Sequence, residues 1–132
     1  KEGKIIFVGL HNKLGMKPLD VRTKSGKLID RIVRPLTHRC IPVRLTNLFD
    51  VDYYPKDEEM DKLIFEWIER IELSKEDTVV LLGQTVHDNF PKLPLIKIIK
   101  IAHPASKRSH QEMDEYVEKT LKLLLPTTPK PE

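Results

Sequence analysis

A single cysteine in 132 residues, Cys40, excludes a disulfide framework and a multi-cysteine zinc site, and it fits a reducing compartment. Long hydrophobic runs are also missing. No apolar stretch approaches the roughly 18 residues of a membrane-spanning helix, so no membrane partner is expected. The opening Lys1-Glu2-Gly3-Lys4 leads straight into a short apolar run without the longer apolar segment of a secretory signal, and a cytoplasmic location is expected. The five histidines (His11, His38, His87, His103 and His110) show no pairing at helical spacing that would make a zinc site. Neither a metal nor a cofactor is expected. Glycine is scarce too: Gly9-Leu10-His11-Asn12-Lys13-Leu14-Gly15 lacks the glycine spacing of a dinucleotide loop and opens no helix directly. There is no internal repeat.

What is present describes an ordinary globular chain. With 39% hydrophobic and 33% charged residues, one domain with its own core is expected over 1–125, followed by a flexible tail over 126–132. A formal charge of +3 leans toward anionic partners, although a small lysine excess also serves solubility.

Two hydrophobic patterns alternate along the chain. Ile5-Ile6-Phe7-Val8 stops at Gly9, and its unbroken apolar character predicts a strand buried on both faces of a parallel sheet. The polar stretch over 9–26 is much longer than the two to about six residues usual between strand and helix, which marks it as a candidate site. A helix over about 26–35 follows, capped by Thr23 or Ser25 and ended by Pro35. A second strand over 40–47 carries Pro42, which favours an edge position. An irregular loop over 48–55 then precedes a helix over 56–73. There Met60, Leu63, Ile64, Trp67, Ile68 and Ile71 recur three and four apart, as a core-facing stripe does. A third strand over 78–83, a short helix over 84–89, a fourth strand over 96–101 and a last helix over 109–125 complete the chain. Strands alternating with helices predict a three-layer α/β/α sandwich on four parallel strands in the order 2-1-3-4, with right-handed crossovers.

In such a sheet every strand C-terminus points the same way, so the 9–26 loop, Asn47, Gly83-Gln84 and His103-Pro104-Ala105-Ser106 should meet at one end. The amide of Asn47 can both donate and accept, as reading a nucleobase edge requires. His103 can donate to a developing oxyanion. Ser25 and Gly26 open a helix whose backbone N–H groups could cradle a phosphate, and Lys107 and Arg108 suit a phosphate backbone. Structural roles compete for the same residues: an Asx turn at Asn47, a plain turn at His103-Pro104, a helix cap at Ser25.

These segments, in this order, resemble the uracil-DNA glycosylase superfamily. Thr23-Lys24-Ser25-Gly26-Lys27-Leu28-Ile29-Asp30 is similar to the serine-glycine turn and helix of its thermostable branch, and Arg44-Leu45-Thr46-Asn47 to the strand that ends in a base-reading Asn. Val79-Val80-Leu81-Leu82-Gly83-Gln84 is similar to the third strand, and Ile101-Ala102-His103-Pro104-Ala105-Ser106 to the histidine-proline-serine motif. The first motif departs from the pattern: Gly9 has no proline three residues on, His11 falls where several branches carry Asp or Asn, and Leu19 replaces the aromatic that stacks on the base. The four cysteines of the branch's iron–sulfur cluster are absent as well.

The resemblance implies hydrolysis of the N-glycosidic bond of uracil or another altered base in DNA, a base-excision repair reaction on single- or double-stranded substrate by a monomer. It implies that Asn47 reads the base with Leu19 and Asn12 beside it, and that His103 donates to the base oxygen. Water would be positioned by Asp20, His11 or Asn12, with Asp20 favoured. Ser25, Gly26, Ser106, Lys107 and Arg108 would hold phosphates. Two alternatives stay open: a non-catalytic nucleobase- or nucleic-acid-binding module on the same fold, and a hydrolase of small nucleotides.

Overall fold

The computed structural model describes residues 3–11 and 17–125. Four strands, β1 (Ile5–His11), β2 (Val43–Phe49), β3 (Thr78–Leu82) and β4 (Lys97–Ile101), pair in parallel in the order β2-β1-β3-β4. Ile5 to Val8 and Val79 to Leu82 are buried without alternation, because both strands are central and both faces of the sheet are covered. The expected sheet order and parallel sense are those observed.

Alternate residues of the central strands feed two cores. Ile5, Phe7, Val80 and Leu82 pack against α1 (Lys24–His38) and α4 (His110–Leu124). Ile6, Val8, Val79 and Leu81 face α2 (Asp57–Ile71) and α3 (Gln84–Asn89). The α2 stripe is core, as its spacing predicts: Trp67 is wholly buried and donates its indole N–H to Thr46 Oγ1 at 3.2 Å.

Three elements run further than the sequence-based expectation. β1 does not stop at Gly9 but continues to His11, since Gly9 stays in register with Asn47 and His11 with Phe49. β2 begins at Val43 and runs past Asn47 through Leu48 and Phe49, both with no solvent exposure, so these two belong to the strand and not to a loop. α1 starts at Lys24, where Thr23 Oγ1 accepts the Gly26 N–H at 2.9 Å, and it runs through Pro35 to His38. A proline inside a helix costs about 3 kcal/mol or more. Leu36 opposes that cost: fully buried on the stripe of Leu28, Ile29 and Ile32, it contributes about 1.5–3 kcal/mol only while the last turn stays helical. Its carbonyl accepts the N–H groups of both Arg39 and Ile41, which closes that turn.

The two ends of the sheet are unlike. At the strand N-termini the buried Asp77 carboxylate takes the backbone N–H groups of Lys4 and Ser74 and the Lys4 ammonium at 2.9 Å, tying down the start of β1. The strand C-termini open onto a cavity.

Candidate functional site

That cavity, of about 390 Å³, is lined by pieces far apart in sequence. His11 comes from the end of β1, Leu19 and Asp20 from the approach to α1, Ser25 from its first turn, and Asn47 from β2. Gly83 and Gln84 follow β3, and His103 follows β4. Parallel pairing explains why His11, Asn47, Gly83 and His103 meet: each leaves or ends a strand at the same end of one sheet, and the connection from β1 to α1 passes over that end.

Asn47 is buried, with 6% of its surface exposed, and its amide occupies the space beside Gly9, its register partner in β1. A Cβ at position 9 would lie 2.3 Å from Asn47 Oδ1, so glycine there is what admits the amide. The obstacle is the tip of a side chain, not backbone. Gly9→Ala is therefore expected to keep the fold, with a thermal midpoint within a few degrees of native, and to turn the Asn47 amide aside. The side-chain amide resonances of Asn47 measure this: a clear shift is expected in Gly9→Ala, and unchanged resonances would show that position 9 does not set the amide's place.

His103 is held from three sides. Its Nδ1 accepts the Ala105 backbone N–H at 3.0 Å at the start of a 3-10 turn over Pro104–Ser106, so the neutral ring carries its proton on Nε2 as a donor. Partial burial of the imidazole pushes its pKa below the ordinary histidine value even though the residue as a whole reaches solvent, and the ring is uncharged at neutral pH. Ser106 donates its hydroxyl to the His103 carbonyl at 2.7 Å. Beneath it, the buried Tyr116 hydroxyl donates to the Ala102 carbonyl at 2.5 Å and fastens the turn to α4. Gly83 completes the seat. It has φ +98°, a left-handed value that L side chains rarely adopt, and a Cβ on it would lie 3.2 Å from His103 Cβ.

Asp20 lies in the loop before α1 and is paired there. Its carboxylate receives the Arg22 backbone N–H at 2.9 Å, the Arg22 Nε at 3.0 Å and Nη2 at 2.7 Å. These bonds, the guanidinium foremost, hold the carboxyl well below the usual carboxylate range. It stays anionic far into acid. The Asp20 carbonyl also accepts the Thr23 hydroxyl at 2.7 Å, so the loop is continuous with the cap of α1. Leu19 reaches the cavity at φ 52°, a strained value for a residue with a side chain, while packing on the α1 side of the core.

Of the residues singled out in the sequence, His11, Leu19, Asp20, Ser25, Asn47 and His103 therefore share one cavity. Gly26, Ser106, Lys107 and Arg108 do not line it. Gly26 is packed under the loop, where a Cβ would meet the Asp20 carbonyl oxygen at 1.9 Å, and its N–H is given to Thr23. Arg108 is exposed, and its backbone N–H donates to Glu112 at 3.3 Å. Asn12 and the tail over 126–132 lie outside the described residues. Among the described residues no cluster of three or more metal-ligating side chains occurs, and no helix is long and apolar enough to cross a membrane. Residues that chemistry-bearing motifs do not reveal also line the cavity, Lys17 and Thr85 among them, and Thr23, expected only as a helix cap, joins them. The one signal for the loop's closure was the i, i+2 spacing of Asp20 and Arg22. Compared with protein-family models and with curated proteins, the sequence matches none.

Proposed function

We propose that this chain is a DNA glycosylase of the uracil-DNA glycosylase type, hydrolysing the N-glycosidic bond of uracil or another altered base in DNA. The observation that carries this reading is the meeting of a buried amide, Asn47, and a neutral histidine with its Nδ1 occupied, His103, around one cavity of about 390 Å³. A cavity of that size suits a small ligand such as one extruded nucleotide. Asn47 pairs with the edge of the base. As the bond from C1′ to the base nitrogen breaks, its electron pair moves onto the base, and His103 Nε2–H donates to the oxygen where that charge collects. The sugar becomes cationic, and the Asp20 carboxylate, which Arg22 keeps ionised at neutral pH, stabilises it electrostatically. Water, oriented by His11, Asn12 or Asp20, adds to C1′, and the proton it loses passes through solvent to the base anion, which leaves as the neutral base. Ser25, with Ser106, Lys107 and Arg108, contacts flanking phosphates. In this reading the protein acts as a monomer in the cytoplasm.

A second reading, a nucleobase-binding module without catalysis, is favoured by one feature: a carboxylate held so far below its usual range is a weak proton acceptor. Incubation with uracil-containing oligonucleotides, single- and double-stranded, separates the readings. Alkali-labile abasic sites above a His103→Ala control are expected. Binding without release would select the module. Free base from a deoxynucleotide, but none from DNA, would select a hydrolase of small nucleotides.

A further inference from the structure

We infer that the preferred substrate is a single strand, which leaves the cavity over Lys107 into a groove between β4 and α4. This inference rests on the glycosylase reading and adds the strand form and its path.

The two edges of the sheet carry opposite charge at the end where the cavity opens. The β4 edge is basic. Beyond the turn that follows His103 lies a second groove of about 400 Å³, lined by Lys100, Lys107 and Lys119 over a floor that includes Ile101 and Tyr116. Lys100 joins the two cavities, because its ammonium donates to the Gln84 amide oxygen and Gln84 lines the first. Lys107 lies over the Tyr116 ring at 5.9 Å. Two carboxylates also line the groove: Glu112, which accepts the Arg108 and Ser109 backbone N–H groups, and Glu115, which accepts from Gln111 at 3.1 Å; these donors are neutral, so the three lysines leave the lining one positive charge in excess. β4 is an outermost strand, so nothing in the sheet covers this side.

The β2 edge is acidic. The connection leaving β2 carries Asp50 and Asp52, and the first turn of α2 adds Asp57, Glu58 and Glu59; against these five stand Lys56, which precedes the helix, and Arg70, which pairs with Asp50 at 4.0 Å, leaving an acidic excess of three. Glu59 accepts the Tyr53 hydroxyl at 2.8 Å, which binds the connection to that turn. Tyr53 and Tyr54 are 47% and 51% exposed there, offering ring faces but no positive charge.

Four strands place these edges about 14 Å apart, comparable with the roughly 12 Å width of a duplex major groove. A duplex centred on the cavity would thus set one phosphate rail on lysines and the other against carboxylates. A single strand meets only the lysines.

Fluorescence anisotropy of labelled oligothymidylate, alone and paired with its complement, over a salt series tests this. The single strand is expected to bind at least tenfold tighter. Lys119→Ala, a surface change checked by thermal melting, should lower the slope of log affinity against log salt by about 0.7. Joint Asp52→Lys and Glu58→Lys should raise duplex affinity toward that of the single strand. Equal or tighter duplex binding, an unchanged slope in Lys119→Ala, or no binding to either form would overturn the inference. Base release from the same oligomer carrying one uracil is scored separately: strand preference without release sinks the glycosylase reading and leaves the strand path standing.

Discussion

His103→Ala is expected to lower single-turnover base release by on the order of a hundred- to a thousandfold, the usual effect of removing one donor aimed at a developing oxyanion. The fold should survive, because the turn keeps its other ties: Pro104 is buried, and Tyr116 still donates to the Ala102 carbonyl. The pH profile separates a donor from a merely structural residue. Burial lowers the His103 pKa below 6.5, so the neutral ring persists below that pH. A second proton can enter only at Nδ1, and taking it breaks the bond from the Ala105 N–H. Release should therefore hold level as pH falls to the lowered value and decline only beneath it. His103→Ala should remove that decline along with most of the rate, while His103→Gln, which keeps an N–H donor, should recover part of the rate without the pH dependence. A rate in His103→Ala within threefold of native would remove the residue from the chemistry.

How much of this was legible in the sequence depends on how local each cause is. The apolar runs of β1 and β3 announce strands buried on both faces, because no polar residue interrupts them, and the α2 stripe announces its own packing face. The short α3 follows from Gly83, whose positive φ turns the chain out of β3 straight into it. Long-range causes are not written locally. Nothing near Leu48 and Phe49 says that the far face of the sheet needs them, so β2 reads as ending at Asn47. Pro35 reads as a stop because the burial of Leu36 depends on contacts elsewhere. The cavity was legible as a gathering of strand ends, since parallel pairing alone brings Asn47, Gly83 and His103 to one side. Its spacing devices were not: Gly9 is explained by an amide on a neighbouring strand, and Gly26 by a carbonyl in the loop above it. Asp20 was legible as a carboxylate in the right loop, with the i, i+2 spacing of Arg22 as the local sign of their pairing, but the three bonds between them appear only in the folded loop.

That engagement makes Asp20 the residue on which the chemistry is most sharply tested. Asp20→Asn removes the charge and keeps the shape, and is expected to lower single-turnover base release by on the order of a hundredfold if the carboxylate stabilises a cationic sugar or orients water. The same fall could follow from a displaced loop, since Arg22 and the α1 cap both hang on this residue. Arg22→Ala distinguishes the two. It breaks the same ion pair but leaves the carboxylate in place, with Thr23 still bonded to the Asp20 carbonyl. If Asp20 acts by its charge, Arg22→Ala should keep most of the rate at neutral pH. A new acid limb should then appear, because a carboxyl freed from the guanidinium titrates nearer its ordinary value of 3.8. The direction follows from the pairing: Arg22 holds the native carboxyl ionised well below that pH, so the native protein shows no loss there from this group. If Asp20 acts only by bracing the loop, Asp20→Asn and Arg22→Ala should lower the rate and the thermal midpoint together, and neither should gain the limb. Single-turnover rates across the acid range, measured beside thermal melts of both variants, decide between charge and bracing.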